Sequence, residues 1–479
     1  MIIIQNGYDC KYELALFENM FFGKNEDGYI FSNFKYENKR INVYTEIIFG
    51  FETYFEDYYF DFDTENKSER IIKKIFTAAC TKSFCHAAMK VRKINLPWGV
   101  MCGIRPAKNV RILLEEGYTE NETRKIFKNV YEVREEKTEL AHTVAKNEEA
   151  LLKDIDKNSV SIYIGIPFCP TRCLYCSFVS TDINVSGKYM SGFVEKLLLE
   201  IDKTSEILKK LNLFADNIYI GGGTPTTLSA EQLNKIFDRL HNNFDFSKIK
   251  EFTLEAGRPD TITKEKLLCA KSGGVNRISI NPQTMNAETL RKVRRNHTPE
   301  MLKKCFYDAR NAGFNNINTD LIAGLPGENF EMFKYSLDEV IKLDPEDITV
   351  HSMCVKRAAD LNLRRLTEAD EMNKMLSYTQ MRMKETGREP YYMYRQKNSS
   401  GNLENVGYAK KGCMSTYNVN IMEEKQTIIA LGGGGSTKLV MGDRIERIFN
   451  FKDPLEYIRR FDEILKKKDE TAEILGGAL

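Results

Sequence analysis

Three thiols stand close together in one stretch of the chain, Cys169-Pro-Thr-Arg-Cys173-Leu-Tyr-Cys176, at spacings of four and three. Thiolates are soft ligands, suited to zinc, Cu(I) or iron–sulfur clusters. Structural zinc takes four ligands, usually paired from two separated segments, and no second Cys-x-x-Cys follows here. Ferredoxin loops differ as well, because they supply a fourth cysteine to each cluster. Three thiols on a four-iron cube leave one iron open, and an open iron can chelate a cofactor. The other eight of the eleven cysteines are scattered singly and read as small buried hydrophobes.

Two glycine runs follow. Gly221-Gly-Gly-Thr-Pro-Thr226 lacks the Gly-Lys-Ser/Thr ending of a phosphate loop, which excludes nucleoside triphosphate binding. Its physical use is close approach of the backbone to a ligand, which a side chain would block. The second run, Gly432 to Gly435 before Ser436-Thr437, follows the strand-like Thr427-Ile-Ile-Ala-Leu431 and reads as a tight turn.

These residues need elements to hold them. From Ser159 onward, short β-rich runs at 159–166, 217–221, 251–256, 277–281, 316–322 and 347–353 alternate with amphipathic stretches such as 189–211, 230–242 and 330–343. That alternation predicts a parallel sheet with helical crossovers, either an open barrel or a doubly wound sheet. The cysteine loop follows the first run and Gly221 ends the second. The others end in Glu255, Asn281-Pro-Gln283, Asp320 and His351. Sites of parallel α/β proteins are built at the carboxyl ends of the strands, so these residues read as one shared site.

Upstream, residues 1–63 hold 18 of the 51 Phe and Tyr residues, in alternating runs with Asn-Glu-Asp-Gly at 25–28 as a turn signal. This predicts an antiparallel meander. Helical periodicity runs from 68 to about 155, interrupted near 96–99 and 103–106. Downstream lie a helix near 366–386, a few strands and a closing helix at 454–468. The expected division is 1–155 as an accessory α+β region with 146–157 as linker, 156–360 as the core, and 361–479 as an α+β region covering the substrate.

Bulk properties narrow the function class. At 479 residues the chain is too long for one core. With 42% hydrophobic and 29% charged residues it has the composition of a soluble globular protein. No apolar run is long enough to span a bilayer and no signal peptide opens the chain, so no membrane partner and a cytoplasmic location are expected. Residues 1–63 carry five basic and twelve acidic groups, a net of −7, which leaves +9 on the rest of a +2 chain. No Lys/Arg-rich tract suggests nucleic acid.

Cys-x-x-x-Cys-x-x-Cys after the first strand resembles the radical S-adenosylmethionine superfamily. Tyr163-Ile-Gly-Ile-Pro-Phe-Cys169, the Gly-Gly-Gly-Thr-Pro-Thr segment and Asp320-Leu-Ile-Ala-Gly-Leu-Pro326 are similar to its oxygen-independent coproporphyrinogen III oxidase (dehydrogenase) group. Gly103-Ile-Arg-Pro-Ala-Lys108, Glu255-Ala-Gly-Arg-Pro-Asp260 and Ile278-Ser-Ile-Asn-Pro-Gln283 look like its long form in anaerobic firmicutes, the HemZ type. The resemblance implies a partial (β/α)6 TIM-like barrel with an N-terminal α+β accessory domain and a C-terminal α+β extension. It implies one 4Fe–4S cluster on Cys169, Cys173 and Cys176, one S-adenosylmethionine, and a second one besides. Gly222, Gly223, Thr224 and Glu255 would contact the first, with Tyr163 and Tyr175 packed beside it. Gln283, Arg295 and Asp320 would hold the second, and Cys354 joins the cofactor-binding set.

The implied reaction begins when an external one-electron donor of the flavodoxin or ferredoxin class reduces the cluster. S-adenosylmethionine then breaks to a 5′-deoxyadenosyl radical, which takes hydrogen from a propionate of the tetrapyrrole substrate. Loss of carbon dioxide, twice, turns coproporphyrinogen III into protoporphyrinogen IX. The best-studied oxidase pattern has a fourth cysteine where this chain has Phe178, and a histidine where it has Gly165. Phe at the fourth position is shared with relatives that deliver haem or break it down, so a haem-binding chaperone and a haem-modifying radical enzyme stand as alternatives. Planar guanidinium groups suit propionates, and Arg258, Arg357 and Arg395, which follow strand-like runs, are the expected substrate holders.

Overall fold

The computed structural model describes residues 1–23, 26–153, 155–178, 180–354, 368–396, 402–442 and 444–478. The chain folds as two compact units, one of 1–145 with 393–403 and one of 146–392 with 404–479.

The first unit opens with β1 (Ile2–Asn6), α1 (Lys11–Phe21), β2 (Gly28–Glu37), β3 (Arg40–Phe49) and β4 (Glu52–Asp61), in sheet order β1-β2-β3-β4. Asn38 and Lys39, both at positive φ (51° and 60°), make the two-residue turn from β2 to β3, the conformation whose twist matches a hairpin. The expected meander holds for β2, β3 and β4. β1 departs from it by pairing parallel to β2, because α1 carries the chain back before β2 begins. Ile30 and Phe34 of β2 and Ile41, Val43 and Ile47 of β3 are buried on the face covered by α2 (Glu69–Val91). Three helices follow, α3 (Pro106–Glu115), α4 (Glu120–Asn129) and α5 (Glu135–Leu152). Thr119 and Glu122 start α4 with a reciprocal capping box, which satisfies two otherwise orphaned backbone donors.

The second unit alternates strands and helices: β5 (Ser159–Ile166), the two-residue β6 (Phe168–Cys169) and β7 (Thr181–Asp182), α6 (Ile183–Ser186), α7 (Met190–Lys210), β8 (Phe214–Gly222), α8 (Ala230–Asn243), β9 (Glu251–Glu255), α9 (Lys264–Ser272) and β10 (Arg277–Ser279). Then come α10 (Ala287–Lys292), α11 (Pro299–Asn311), β11 (Ile317–Ala323), α12 (Phe330–Lys342) and β12 (Asp347–Ser352). Strands β5, β8, β9, β10, β11 and β12 are neighbours in chain order and all parallel. A doubly wound sheet would reverse that order. Unreversed succession is the winding of a (β/α) barrel, and the open choice left by the sequence falls that way.

The remainder is α13 (Ala369–Glu385), β13 (Glu389–Arg395), β14 (Glu404–Ala409), α14 (Thr416–Glu423), β15 (Ile428–Gly432), β16 (Ser436–Met441), β17 (Arg444–Phe449), α15 (Pro454–Arg459) and α16 (Phe461–Ala478). β14 pairs antiparallel with β12, and β15 pairs parallel with β5. Residues 361–479 are therefore not a third domain: most of what is described there extends the core sheet at both edges. The first boundary also moves, from 155/156 to 145/146 within α5.

A buried carboxylate seats β15. Glu200 of α7, fully buried, accepts from the Gly432 N–H (2.8 Å), Asn450 Nδ2 (2.8 Å) and the Tyr457 hydroxyl (2.5 Å), and pairs with Lys468 Nζ of α16 at 3.0 Å. Removing one partner of a buried pair leaves an uncompensated charge, at a cost of about 3–5 kcal/mol. Lys468→Met should lower unfolding stability by about 3 kcal/mol in urea titration, and Glu200→Gln added to it should restore most of the loss. A single variant as stable as the parent would show that the pair does not hold this edge.

Candidate functional site

The six parallel strands alternate in a way that defines an interior. Ile162 and Ile164, Ile218 and Ile220, Phe252 and Leu254, and Ile348 and Val350 are buried and apolar. Residues of the other parity are mostly polar and bond one another across strands. Asn318 Nδ2 donates to Ser279 Oγ (2.7 Å) and Asp320 Oδ1 (2.9 Å), and Asn281 Nδ2 to Asp320 Oδ2 (2.9 Å). At the amino-terminal end Arg277 pairs with Asp347 at 2.6 Å, to which the Tyr391 hydroxyl also donates at 2.6 Å. Glu251 there accepts from Ser415 Oγ (2.8 Å) and the Thr416 N–H (2.7 Å). The start of α14 thus stoppers that end, and the ring of Tyr417 enters the interior to stack on Tyr219 at 4.4 Å between centroids. The site opens at the carboxyl ends.

The cysteine loop lies at that open end, fixed from both sides. The Gly223 and Thr224 N–H groups donate to Ile166 O and Phe168 O, each at 2.8 Å. Opposite, the Leu174 N–H donates to Val293 O (3.2 Å) and Thr171 Oγ1 to Arg294 O (3.2 Å). Cys169 and Cys173 are buried and Cys176 is half-buried. Cys169 Sγ lies 3.4 Å from Thr224 Oγ1, and Arg258 Nη1 donates to Cys173 Sγ at 3.6 Å. Burial pushes the Cys169 and Cys176 thiols up, so ligation there must supply the energy of deprotonation.

The glycines answer to their own neighbours. A Cβ on Gly223 would lie 2.6 Å from Phe168 O, and one on Gly222 would press on the Ile166 backbone at 3.1 Å. Close approach is needed first between β8 and the cysteine loop, before any ligand arrives. The second run is the expected tight turn, joining β15 to the antiparallel β16, and it also packs on β5, where the Gly433 N–H donates to Gly165 O at 2.9 Å. A Cβ on Gly165 would come 2.6 Å from Gly433 O. No side chain, histidine included, fits at 165 beside this run.

Acids and bases gather above the tyrosines. Tyr163, Tyr219 and Tyr417 form a stacked column, and the Tyr219 hydroxyl donates to Glu255. Burial pushes the Glu255 carboxyl up to about 7, against the Tyr219 hydrogen bond. Burial would raise Asp320 as well, but hydrogen bonding and charge from His351, with Nε2 3.8 Å away, and the Asn318 amide hold it below the ordinary value. Arg295 is buried and donates to Tyr175 Oη (3.0 Å), Gly257 O (2.7 Å) and Asn281 O (2.6 Å). Its Nε finds no partner among the described residues. Gln283 sits at φ +68°, locked between the Asp320 carbonyl (3.0 Å) and the Ile322 N–H (2.9 Å). A non-glycine residue held there is strained, and such strain concentrates at functional positions.

The structure therefore sets Cys169, Cys173, Cys176, Gly222, Gly223, Thr224, Glu255 and Gln283 on the carboxyl-terminal ends or following loops of β5 to β10, with Arg295 just after α10 and Asp320 in the middle of β11. Tyr163 belongs to the interior column and Tyr175 to the Arg295 contact. Cys354 is buried just after β12. Two arginines are corrected. Arg258 is engaged by Thr171, Cys173 and Asp260, and Arg395 donates to Met101 O and Gly103 O (2.6 Å each) in the first unit. Neither guanidinium is available to a substrate carboxylate, and Arg357 lies outside the described residues. Tyr219, Tyr417 and the Arg258 contact were not anticipated. For Tyr219 the period-two alternation of 217–221 was the available signal.

The donor set fits an iron–sulfur cluster. Three soft thiols share one loop, and no three His, Cys, Asp or Glu side chains among the described residues gather as a single-ion site. The surroundings fit a zwitterionic cofactor, with a buried carboxyl at Glu255 and an orphaned buried N–H on Arg295.

A family model, the radical SAM superfamily, matches residues 163–340. The chain is 41% identical over 389 residues to the oxygen-independent coproporphyrinogen-III oxidase-like protein HemZ of Bacillus subtilis (strain 168), covering 79% of this chain and 78% of that one. It is 37% identical over 199 residues to the heme chaperone HemW of the same organism, covering 41% of this chain and 51% of that one. Among solved structures, the coproporphyrinogen III oxidase HemN from Escherichia coli, a radical SAM enzyme, aligns with a TM-score of 0.52 at 22% identity, over 67% of this chain and 72% of that chain. This last likeness concerns the fold. No described helix is long and apolar enough to cross a membrane.

The Glu255 carboxyl makes stability depend on pH. Unfolded, it ionises near 4.5; folded, near 7. Across that window the folded state binds more protons, so stability falls as pH rises, by about 3 kcal/mol once the group is ionised in both states. Glu255→Gln should match the parent near pH 4 in urea unfolding of the metal-free chain and gain on it progressively up to pH 8.5. A difference independent of pH would contradict this assignment.

Proposed function

Because the chain belongs to the radical S-adenosylmethionine superfamily and, within it, to the HemZ family of oxygen-independent coproporphyrinogen-III oxidase-like proteins, we propose that it oxidatively decarboxylates coproporphyrinogen III to protoporphyrinogen IX in the cytoplasm. A small one-electron carrier of the flavodoxin or ferredoxin class would serve as donor. The observation that carries this reading is the shared position of the cysteine loop, Glu255, Arg295 and the strained Gln283 at the carboxyl-terminal end of consecutive parallel strands, with Asp320 of β11 bonded to Asn281 and Gln283 beside them.

Cys169, Cys173 and Cys176 would hold the 4Fe–4S cluster, and bound together the cluster and S-adenosylmethionine supply one-electron cleavage and hydrogen-atom abstraction. Glu255 would accept hydrogen bonds from the ribose or amino group of the cofactor, beside the backbone of Gly222, Gly223 and Thr224. Gln283, Arg295 and Asp320 would hold a second cofactor, which a mere carrier has little use for. The stopper formed by Ser415, Thr416 and Tyr417 keeps water from the amino-terminal end, as chemistry on reactive intermediates requires.

One observation favours a second reading, a haem chaperone. Phe178, 70% exposed, stands just beyond Cys176, and this chain also resembles heme chaperones. The two readings part in one experiment. Anaerobically reconstituted protein should bind about four iron per chain, and the joint Cys169→Ala, Cys173→Ala, Cys176→Ala variant none. Given reductant, S-adenosylmethionine and coproporphyrinogen III, the parent should yield a product lighter by two carbon dioxide and four hydrogen atoms, read by mass. Tight haem binding with no such product would establish the chaperone, and full reconstitution of the triple variant would refute the cluster site.

A further inference from the structure

Of the three thiols in the loop, Cys173 is the one whose sulfur accepts from the Arg258 guanidinium. Cys169 meets the Thr224 hydroxyl, and Cys176 meets the main-chain N–H of Phe178. Arg258, 3% exposed, is set by a two-pronged contact with Asp260, Nε to Oδ1 at 3.0 Å and Nη2 to Oδ2 at 2.8 Å. This leaves Nη1 aimed at the loop, where it donates to Thr171 O (3.1 Å), to Thr171 Oγ1 (3.2 Å) and to Cys173 Sγ (3.6 Å). The motif Glu255-Ala-Gly-Arg-Pro-Asp260 explains the placement. Pro259 and Asp260 begin a short turn of 3-10 helix after β9, and that turn returns the carboxylate to the arginine two residues before it.

We propose that Arg258 is a positioning residue that tunes the cluster on the cysteine loop, its guanidinium raising the reduction potential through the sulfur of Cys173. The inference rests on the cluster reading above. Reduction adds one negative charge to the cluster and its ligands. A cation and an N–H donor at a ligand sulfur stabilise that added charge more than they stabilise the oxidised state, and hydrogen bonds to sulfur and local charge are established levers on such potentials. Burial keeps the effect from being screened by water. Asp260 works the other way, since its carboxylate offsets part of the guanidinium charge. The two residues therefore act on the potential with opposite sign. A purely structural tie between Thr171 and the end of β9 has no such signature.

The test compares the full-length parent, Arg258→Gln and Asp260→Asn, each anaerobically reconstituted and assayed for iron. The midpoint potential is read by redox titration of the EPR signal without S-adenosylmethionine. Arg258→Gln should titrate at a more negative potential than the parent, and Asp260→Asn at a more positive one. Arg258→Lys, which keeps the charge, should lie between Arg258→Gln and the parent, and it replaces Arg258→Gln in the comparison if that variant does not retain iron. Potentials equal to the parent's, or shifted in the same direction in the Arg258 and Asp260 variants, would overturn the proposal, as would iron loss with the remaining cluster titrating like the parent's. A parent chain that takes up no iron would overturn the cluster reading itself, an outcome distinct from unmoved potentials in a loaded protein.

Discussion

Three thiols on a loop with little regular structure can act together only if the loop's backbone is fixed by its surroundings. Here the loop is held between two walls. On one side the Gly223 and Thr224 N–H groups, just beyond β8, reach Ile166 O and Phe168 O at 2.8 Å. On the other, Val293, Arg294 and Arg258 bond to Leu174 and Thr171. The close approach on the first side excludes side chains at Gly222 and Gly223. The same constraint reaches β5, where Gly165 must be bare for Gly433 to pack against it. The loop, two strand ends and the late strand β15 thus form one arrangement, and the buried pair of Glu200 and Lys468 holds its outer edge.

A barrel lined with polar residues has to satisfy most of them. At the amino-terminal end Arg277 pairs with Asp347, to which Tyr391 donates, and Glu251 is capped by Ser415 and Thr416, although Arg277 Nε and Asp347 Oδ1 find no partner among the described residues and burial pushes the Asp347 carboxyl up to about 6. At the carboxyl-terminal end a carboxyl is pushed up to about 7 by burial, an arginine N–H lacks a partner and a glutamine is held at positive φ. Perturbed and incompletely satisfied groups cluster where chemistry is done. Both ends hold such groups, and what sets the carboxyl-terminal end apart is the cysteine loop and the strained Gln283.

Much of this was legible before the structure. The strand read at 159–166 is β5, and the other five runs overlap β8 to β12, because strands with one apolar face and one polar face leave short alternating runs rich in β-branched residues. The residues at their carboxyl ends came with them. What escaped notice depends on distant partners. β15 lies beside β5 although the paired residues Ile429 and Ile162 are 267 positions apart in the chain, and no local pattern announces such a pairing. Arg258 looked free for a propionate because its contacts, Thr171 and Cys173, come from a loop far upstream. β1 was read into a meander because a short strand before a helix gives no sign of which way its partner runs.

The central claim is that Cys169, Cys173 and Cys176 hold a four-iron cluster with one iron left open for S-adenosylmethionine. EPR of the reduced, reconstituted protein recorded with and without S-adenosylmethionine tests it most directly. A cofactor that binds the open iron should change the g-values of the cluster signal. A signal identical in the two samples, at cofactor concentrations that saturate binding, would contradict the claim.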